Sequence, residues 1–270
     1  MTIKELKIRI KGVQSIQKIT KAMQMVSASK LRFIMEKLAL ANKYYEVVSS
    51  MVSDSGIANQ KKVESTLDSF LLVTADKGLC GSHSSSICKY YLNLNTSVTS
   101  NAGLIALGGK SVEILGASKK DLISLFFSNV FKKGFSFFEL VDVSNKLSKL
   151  FTLNGYENLH VVFNKFVSSV STDLVEENVD LTALKSISND DVDSSSLVFF
   201  YLTSLLYYTV TNSKASEEST RMQSMDNATS SANDLLDDLT RMYNMSRQVS
   251  ITTELIEIVS GAESLKQGKN

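Results

Sequence analysis

Residues 3–53 contain no proline and a single glycine, Gly12, and residues 211–260 contain neither. An interior proline costs a helix ~3 kcal/mol and bends its axis, and glycine costs ~1 kcal/mol. Both ends of the chain are therefore predicted to be long, unbroken helices. At 1.5 Å rise per residue, the first spans roughly 75 Å and a tract from Ser196 to Leu265 roughly 100 Å. Helices of that length exceed what a single globular core of 270 residues can cover. The two are expected to wind around each other as an antiparallel pair. Proline is absent from the loops as well, which no structural argument explains.

Apolar spacing supports the pairing. Ile16, Ile19, Met23 and Val26 recur at 3-4-3, and Leu31, Leu38, Tyr45 and Val52 repeat every seven, with Ile34, Ala41 and Val48 in the other seam position. The two halves are one residue out of phase, so the predicted stripe drifts and a regular supercoil does not run throughout. In the C-terminal tract Met222, Thr229, Leu236 and Tyr243 form one row, and Met225, Ala232 and Leu239 the other. Ala228, Ser231 and Ala232 would let the backbones approach. Ser196–Val210 is apolar nearly all round, which predicts burial. Met222, Met225, Met242 and Met245 read as adaptable core filler.

The middle has a different period. Phe70–Thr74, Gly103–Leu107 and Leu159–Phe163 are short apolar runs bounded by turn residues, and Ser84–Leu94 and residues 136–151 have helical spacing. Alternating strands and helices predict a small parallel sheet covered by helices. The fold class is α/β: a long antiparallel coiled coil of N- and C-terminal helices with a small Rossmann-like α/β domain inserted between them. The expected segments are an N-terminal coiled-coil helix over 1–60, an α/β domain over 66–190 and a C-terminal coiled-coil helix over 196–270.

Formal charge is near balance at +1, so no global field calls for nucleic acid. The distribution is uneven. Residues 1–43 hold ten Lys/Arg against Glu5 and Glu36, while residues 173–193 hold seven acids against Lys185. No run of eighteen apolar residues occurs, and the N-terminus lacks the apolar core of a signal peptide. Cys80 and Cys88 make no disulfide framework and point to a reducing compartment.

Two features could suggest an active site. Gly109-Lys110-Ser111 follows a strand, but a phosphate loop needs glycine five residues earlier, where Leu104 stands. Cys80, His83 and Cys88 lie within nine residues, but structural zinc takes four ligands. A buried thiol and a surface imidazole are expected there. With two histidines in the chain, few nucleophile–base pairs can be built. No catalytic residue, cofactor or metal is expected.

The ends carry a further signal. Ile10-Lys11-Gly12-Val13-Gln14-Ser15-Ile16-Gln17-Lys18-Ile19-Thr20-Lys21-Ala22-Met23-Gln24-Met25-Val26-Ser27-Ala28-Ser29-Lys30-Leu31 resembles the N-terminal motif of the gamma subunits of F-type ATP synthases. So do Glu217 to Arg221-Met222, Met225-Asp226-Asn227-Ala228-Thr229, Tyr243-Asn244 and Arg247-Gln248. The final run, Ile251-Thr252-x-Glu254-x-x-Glu257-x-x-x-Gly261-Ala262-x-Ser264, resembles the family's signature. Asp76-Lys77-Gly78-Leu79-Cys80-Gly81 and Asn164-Lys165-Phe166 are similar to its strand ends.

That resemblance implies a non-catalytic central rotor subunit, present as a single copy in a hetero-oligomer. Its expected partners are the alpha and beta subunits of the catalytic head, an epsilon-type stalk subunit and the membrane ring of c subunits. It implies a peripheral membrane protein on the cytoplasmic face of a bacterial inner membrane or the matrix face of the mitochondrial one. By similarity, Met23, Arg247, Gln248, Thr252 and Glu254 are the expected contacts with the alpha–beta ring, and the basic N-terminal helix would meet acidic loops of the beta subunits. The competing classes are a free-standing nucleotide-binding α/β enzyme with a helical dimerisation arm and a passive coiled-coil scaffold.

Overall fold

Side chains on a strand alternate between two faces, so a strand covered on both sides can be apolar at every position. The central strand, β1 (Asp68–Val73), is of this kind. Its Leu71 and Val73 enter one hydrophobic cluster and its Phe70 and Leu72 another. The computed structural model describes residues 2–54, 67–94, 102–116, 123–128, 137–186 and 194–267.

The elements run α1 (Ile3–Asp54), β1, α2 (His83–Asn93), β2 (Gly103–Leu107), α3 (Gly109–Leu115), β3 (Ile123–Phe127), α4 (Phe137–Asn154), β4 (Asn158–Phe166), β5 (Thr172–Asp180), α5 (Leu181–Ser186) and α6 (Ser194–Gln267). The chain divides into two units, Val26–Ser224 and Met1–Met25 with Met225–Asn270. Both long helices contribute to each. The expected α/β class, with long helices at both ends, is what the chain forms.

In the first unit five strands lie in the order β3-β2-β1-β4-β5. The β1–β2, β1–β4 and β2–β3 pairs are parallel, and β4–β5 is antiparallel. The sheet is thus mixed, which corrects the expectation of a parallel one. A tight turn makes the hairpin: the Val167 and Ser168 amides donate to the Ser171 carbonyl, and Ser168 Oγ accepts from the Val170 and Ser171 amides. One face packs on α4, the end of α1 and residues 198–210 of α6. There Tyr45 stacks on Tyr208 at 4.4 Å. The other face packs on α2 and α3 around Tyr91 and Ile87. Beside the sheet, Leu31 and Leu38 of α1 pack with Ala215 of α6.

In the second unit the N-terminal part of α1 runs antiparallel to the C-terminal part of α6. Leu6 and Val13 pack with Ala232 and Leu239, flanked by Ile10, Leu236 and Tyr243. The rows expected on α6 form the seam, although Ser231 is exposed.

The expected seam on α1 needs correction. The seam runs through 6, 10, 13, 17, 20, 24, 27, 31, 34, 38, 41, 45, 48 and 52, all buried or half-buried in an unbroken 4-3 heptad alternation, with Ile3, Met23, Lys37, Tyr44 and Ser49 also half-buried. No phase shift occurs. Thr20 and Ser27 are buried in it, whereas Ile16, Ile19 and Val26 are 55%, 59% and 54% exposed. Of the four methionines read as core filler, Met225 is buried and Met222 half-buried, but Met242 and Met245 are exposed. They lie off the seam on the solvent side of α6.

Candidate functional site

Three surfaces carry the chemistry. The first is the end of α6. The apolar cluster that joins the helix pair ends at Tyr243. From Asn244 to Ala262 every residue is exposed except Ser246 and Ser250, which are half-buried. Leu255, Ile256, Ile258 and Val259 are each more than half exposed. A run of exposed apolar side chains on one helix marks a surface that a partner covers.

Four of the five expected contact residues, Arg247, Gln248, Thr252 and Glu254, sit exposed on this segment. Thr252 Oγ1 donates to the Gln248 carbonyl at 2.9 Å, and Ser250 Oγ donates to Glu254 Oε1 at 3.2 Å. Helical spacing puts Gln248 and Thr252 on one side of α6. Met23 lies elsewhere. It is half-buried on α1, next to Gln24, whose amide donates to Asp226 Oδ1. Asp226 is about 30 Å along α6 from Arg247 at 1.5 Å rise, so the structure does not bring Met23 together with the other four.

The second surface is the outer side of α1, where Ile16, Ile19 and Met25 alternate with Lys11, Lys18 and Lys21, all exposed. This combination suits a partner surface with both apolar and acidic ground.

The third region is the β1–α2 turn and its seat on α6. Leu79 has φ of 63°, rare for a side chain with a Cβ, and is 60% exposed. The turn is clasped from beneath. Arg221 Nη2 reaches the Gly78 carbonyl at 3.5 Å, and a Cβ on Gly81 would come within 2.9 Å of Thr220. Arg221 pairs with Glu217 at 2.5 Å and Glu218 at 2.8 Å; Lys214 also holds Glu217 at 2.5 Å, and Lys30 lies 3.8 Å from Glu218. Burial alone would raise the Glu217 carboxyl, but Lys214 and Arg221 together hold it below the ordinary 4.5.

Sequence reasoning missed this network. Its spacing, Lys214-x-x-Glu217-Glu218-x-x-Arg221, reads equally well as a solvated helix face.

His83 corrects a second expectation: it is 2% exposed, not a surface imidazole. The first turn of α2 points it inward, where Asn164 Nδ2 donates to its Nδ1 at 3.1 Å and its Nε2 lies 3.3 Å from Ser213 Oγ. Ser213 Oγ in turn donates to the Val73 carbonyl. This chain fixes the neutral tautomer with the proton on Nε2. Burial pushes the imidazole down to about 4 from 6.5, more than Glu217 raises it, and Lys214 and Arg221 lower it further.

The sign follows from linkage. A depressed histidine contributes stability that is full above 6.5 and is lost as pH falls toward 4, because only the unfolded chain takes up the proton. The Glu217 contribution is lost below 4.5, so the window between separates the two. Urea denaturation of the full chain should show stability falling by about 3 kcal/mol between pH 6.5 and 4. His83→Gln, which keeps hydrogen bonding without titrating there, should flatten the slope above pH 4.5. An equal slope in both proteins would show that His83 stays uncharged for another reason.

The Gly109-Lys110-Ser111 turn is closed on itself. The Gly109 amide donates to Asp76 Oδ1, the Lys110 amide to the Ala75 carbonyl and the Ser111 amide to Thr74 Oγ1. A phosphate would find those three donors occupied. Cys80 and Cys88 are both buried as free thiols, and burial pushes Cys88 up to about 11. Among the described residues, no group of three or more His, Cys, Asp or Glu side chains is placed to hold a metal ion. Among the described residues, no helix is long and apolar enough to cross a membrane.

Comparison with known proteins agrees with this architecture. The family model described as ATP synthase matches residues 2–265. The chain is 35% identical to the ATP synthase gamma chain of Rickettsia akari, covering 97% of this chain and 99% of that one. It is 32% identical to the gamma chain of Clostridium kluyveri, covering 97% of each. Among solved structures, a chain of the Tetrahymena thermophila mitochondrial ATP synthase central stalk and c-ring matches with a TM-score of 0.68 and 25% identity, over 78% of this chain and 99% of that one. A chain from the Euglena gracilis mitochondrial enzyme shares the fold, with a TM-score of 0.78 at 16% identity, over 99% of this chain and 96% of that one. A family match that runs from residue 2 to residue 265, with about a third of residues shared end to end with bacterial gamma chains, places this chain in the ATP synthase gamma-chain family.

Proposed function

We propose that this chain is the central-stalk rotor subunit of an F-type ATP synthase. It couples rotation of the membrane ring of c subunits to conformational change at catalytic sites on a surrounding ring of alpha and beta subunits. An epsilon-type subunit completes the stalk. The observation that carries the reading is the end of α6, where a single helix extends past its partner with exposed apolar side chains. Such a segment gains stability only inside another protein. The uneven faces of the helix pair supply what coupling requires, a different interaction with each state of the surrounding sites.

The chain itself supplies no catalytic group in this reading; ATP is made and hydrolysed on the partners. It sits as a peripheral protein on the membrane face that carries the catalytic head, cytoplasmic in a bacterium or matrix-facing in a mitochondrion. Met23, Arg247, Gln248, Thr252 and Glu254 contact the alpha–beta ring. Arg247 and Gln248 are the strongest candidates, because their exposed amide and guanidinium groups can donate several hydrogen bonds to one acidic loop.

Reconstitution tests the reading. The purified chain should neither hydrolyse ATP nor bind it, yet should restore rotation-coupled turnover to an alpha–beta assembly. Arg247→Ala with Gln248→Ala should lower steady-state ATPase several-fold with subunit content unchanged, since a charge-assisted contact is worth ~1.5–3 kcal/mol in the state that makes it. Full turnover in a fully assembled double variant would remove these two side chains from the coupling path.

A further inference from the structure

Val26, Phe33, Leu40 and Val47 repeat every seven residues on α1, and each is more than half exposed. They lie off the seam, which passes through Ser27, Ile34, Ala41 and Val48, one residue on. Lys30, Lys37, Tyr44 and Met51 take the alternate places. A second 4-3 alternation therefore runs for roughly 38 Å along the helix, about a third of a turn round from the seam. It lies wholly within the unit Val26–Ser224. Its border with the seam is already apolar: Tyr44 is half-buried, edge-on to Phe200 of α6 at 6.2 Å, and Phe200 is itself 44% exposed. Lys37 Nζ lies 5.0 Å from the centre of the Phe33 ring, so the lysine stem adds to the apolar surface.

We infer that this row is a docking site for a third helix, an amphipathic one with carboxylates along the borders of its apolar stripe. Periodicity selects the shape. Side chains that recur every seven residues of a helix stand about 10.5 Å apart, and another helix presents knobs at the same repeat over the whole length. Charge selects the partner. Lys30, Lys37 and Lys43 border the row against Glu36 alone, with Lys30 partly answered by Glu218 at 3.8 Å. Glutamates or aspartates beside the incoming apolar stripe would meet these lysines. A second copy of this chain would bring the same three lysines and one glutamate, so self-pairing is disfavoured. The inference goes beyond the rotor reading. It uses none of the five expected ring contacts and concerns the free chain, so it stands or falls independently of that reading.

Calorimetric titration of the full chain tests it. The probe is a helical peptide of four heptads with leucine at a and d and glutamate at e and g, whose own glutamates discourage it from pairing with itself at neutral pH. Its twin carries lysine at e and g. The glutamate peptide should bind, and the lysine twin should bind at least about tenfold more weakly. Phe33→Glu with Leu40→Glu should weaken the glutamate peptide at least about tenfold, with an unchanged denaturation midpoint because both side chains are exposed. Phe138→Glu with Leu153→Glu, two exposed positions at the ends of α4, should leave binding as it was. Lys37→Glu with Lys43→Glu keeps the apolar row and should narrow or reverse the preference between the two peptides. No binding of the glutamate peptide would overturn the inference, as would binding that ignores Phe33→Glu with Leu40→Glu. Equal binding of the two peptides would overturn the acidic partner. A chain that dimerises in sedimentation and becomes monomeric with Phe33→Glu and Leu40→Glu would give the row to a second copy and overturn it as well. Turnover of the chain with an alpha–beta assembly is a separate measurement and bears on the rotor reading alone.

Discussion

Leu236→Pro is expected to abolish coupled turnover and to cut the amount of chain recovered in an assembled complex. Leu236 lies in the interior of α6 and packs against the seam cluster of Leu6, Val13, Ala232 and Leu239. Proline there removes the amide that would bond the Ala232 carbonyl, and its ring collides with that same carbonyl, at ~3 kcal/mol or more. The bend falls where the two helices should lie side by side, so contacts on the Tyr243 side of it are lost as well. Leu236→Ala removes only part of one half-buried side chain and should assemble. Subunit content and coupled synthesis, measured together, decide the matter. Normal values for both in the proline variant would show that the function does not need a continuous α6.

Arg221→Ala has the largest expected effect on the α/β unit. The guanidinium serves Glu217, Glu218 and the Gly78 carbonyl at once, and the side chains of Arg221, Glu217 and Glu218 are each no more than 8% exposed. Removing it leaves two buried carboxylates with Lys214 and the more distant Lys30. Breaking a buried ion pair from one side typically costs about 3–5 kcal/mol, most of it the burden of the abandoned charge. Chemical denaturation of the full chain should show a loss of that order. Arg221→Lys should recover part of it, since an ammonium keeps the charge but cannot span both carboxylates and the carbonyl. A loss under about 1 kcal/mol in the alanine variant would mean that water reaches the cluster and screens it.

Some of this could be read directly from residues. The end helices were legible because nothing in them can break a helix. β1, β2 and β4 were legible because strands buried on both faces are unbroken apolar runs, such as Phe70-Leu71-Leu72-Val73. The two edge strands were not. β3 exposes Ser124 and Phe126, and β5 carries Asp173, Glu176, Glu177 and Asp180, which read as loop because an edge strand satisfies only half its backbone through the sheet. Of the acids counted in that stretch, Asp190, Asp191 and Asp193 lie outside the described residues. The identities of the contact candidates came from resemblance to a family, since Arg247 or Thr252 alone has no spacing that distinguishes a contact from a solvated helix face.

The sequence by itself determined where helices run, where the inner strands lie and which family the chain resembles, because breakers, period and motif are local properties. Only the tertiary structure decided which face of α1 turns inward. Ile16, Ile19, Met23 and Val26 offer an apolar stripe, but Leu6 and Val13 before it and Leu31 and Leu38 after it pack against α6 in the other phase, which carries Thr20 inward opposite Thr229, and those contacts join residues about two hundred positions apart. The position of His83 was decided in the same way. Its neighbours in sequence are serines, but Asn164 of β4 and Ser213 of α6 converge on it, and only the folded sheet with α6 laid along it brings those groups to one imidazole.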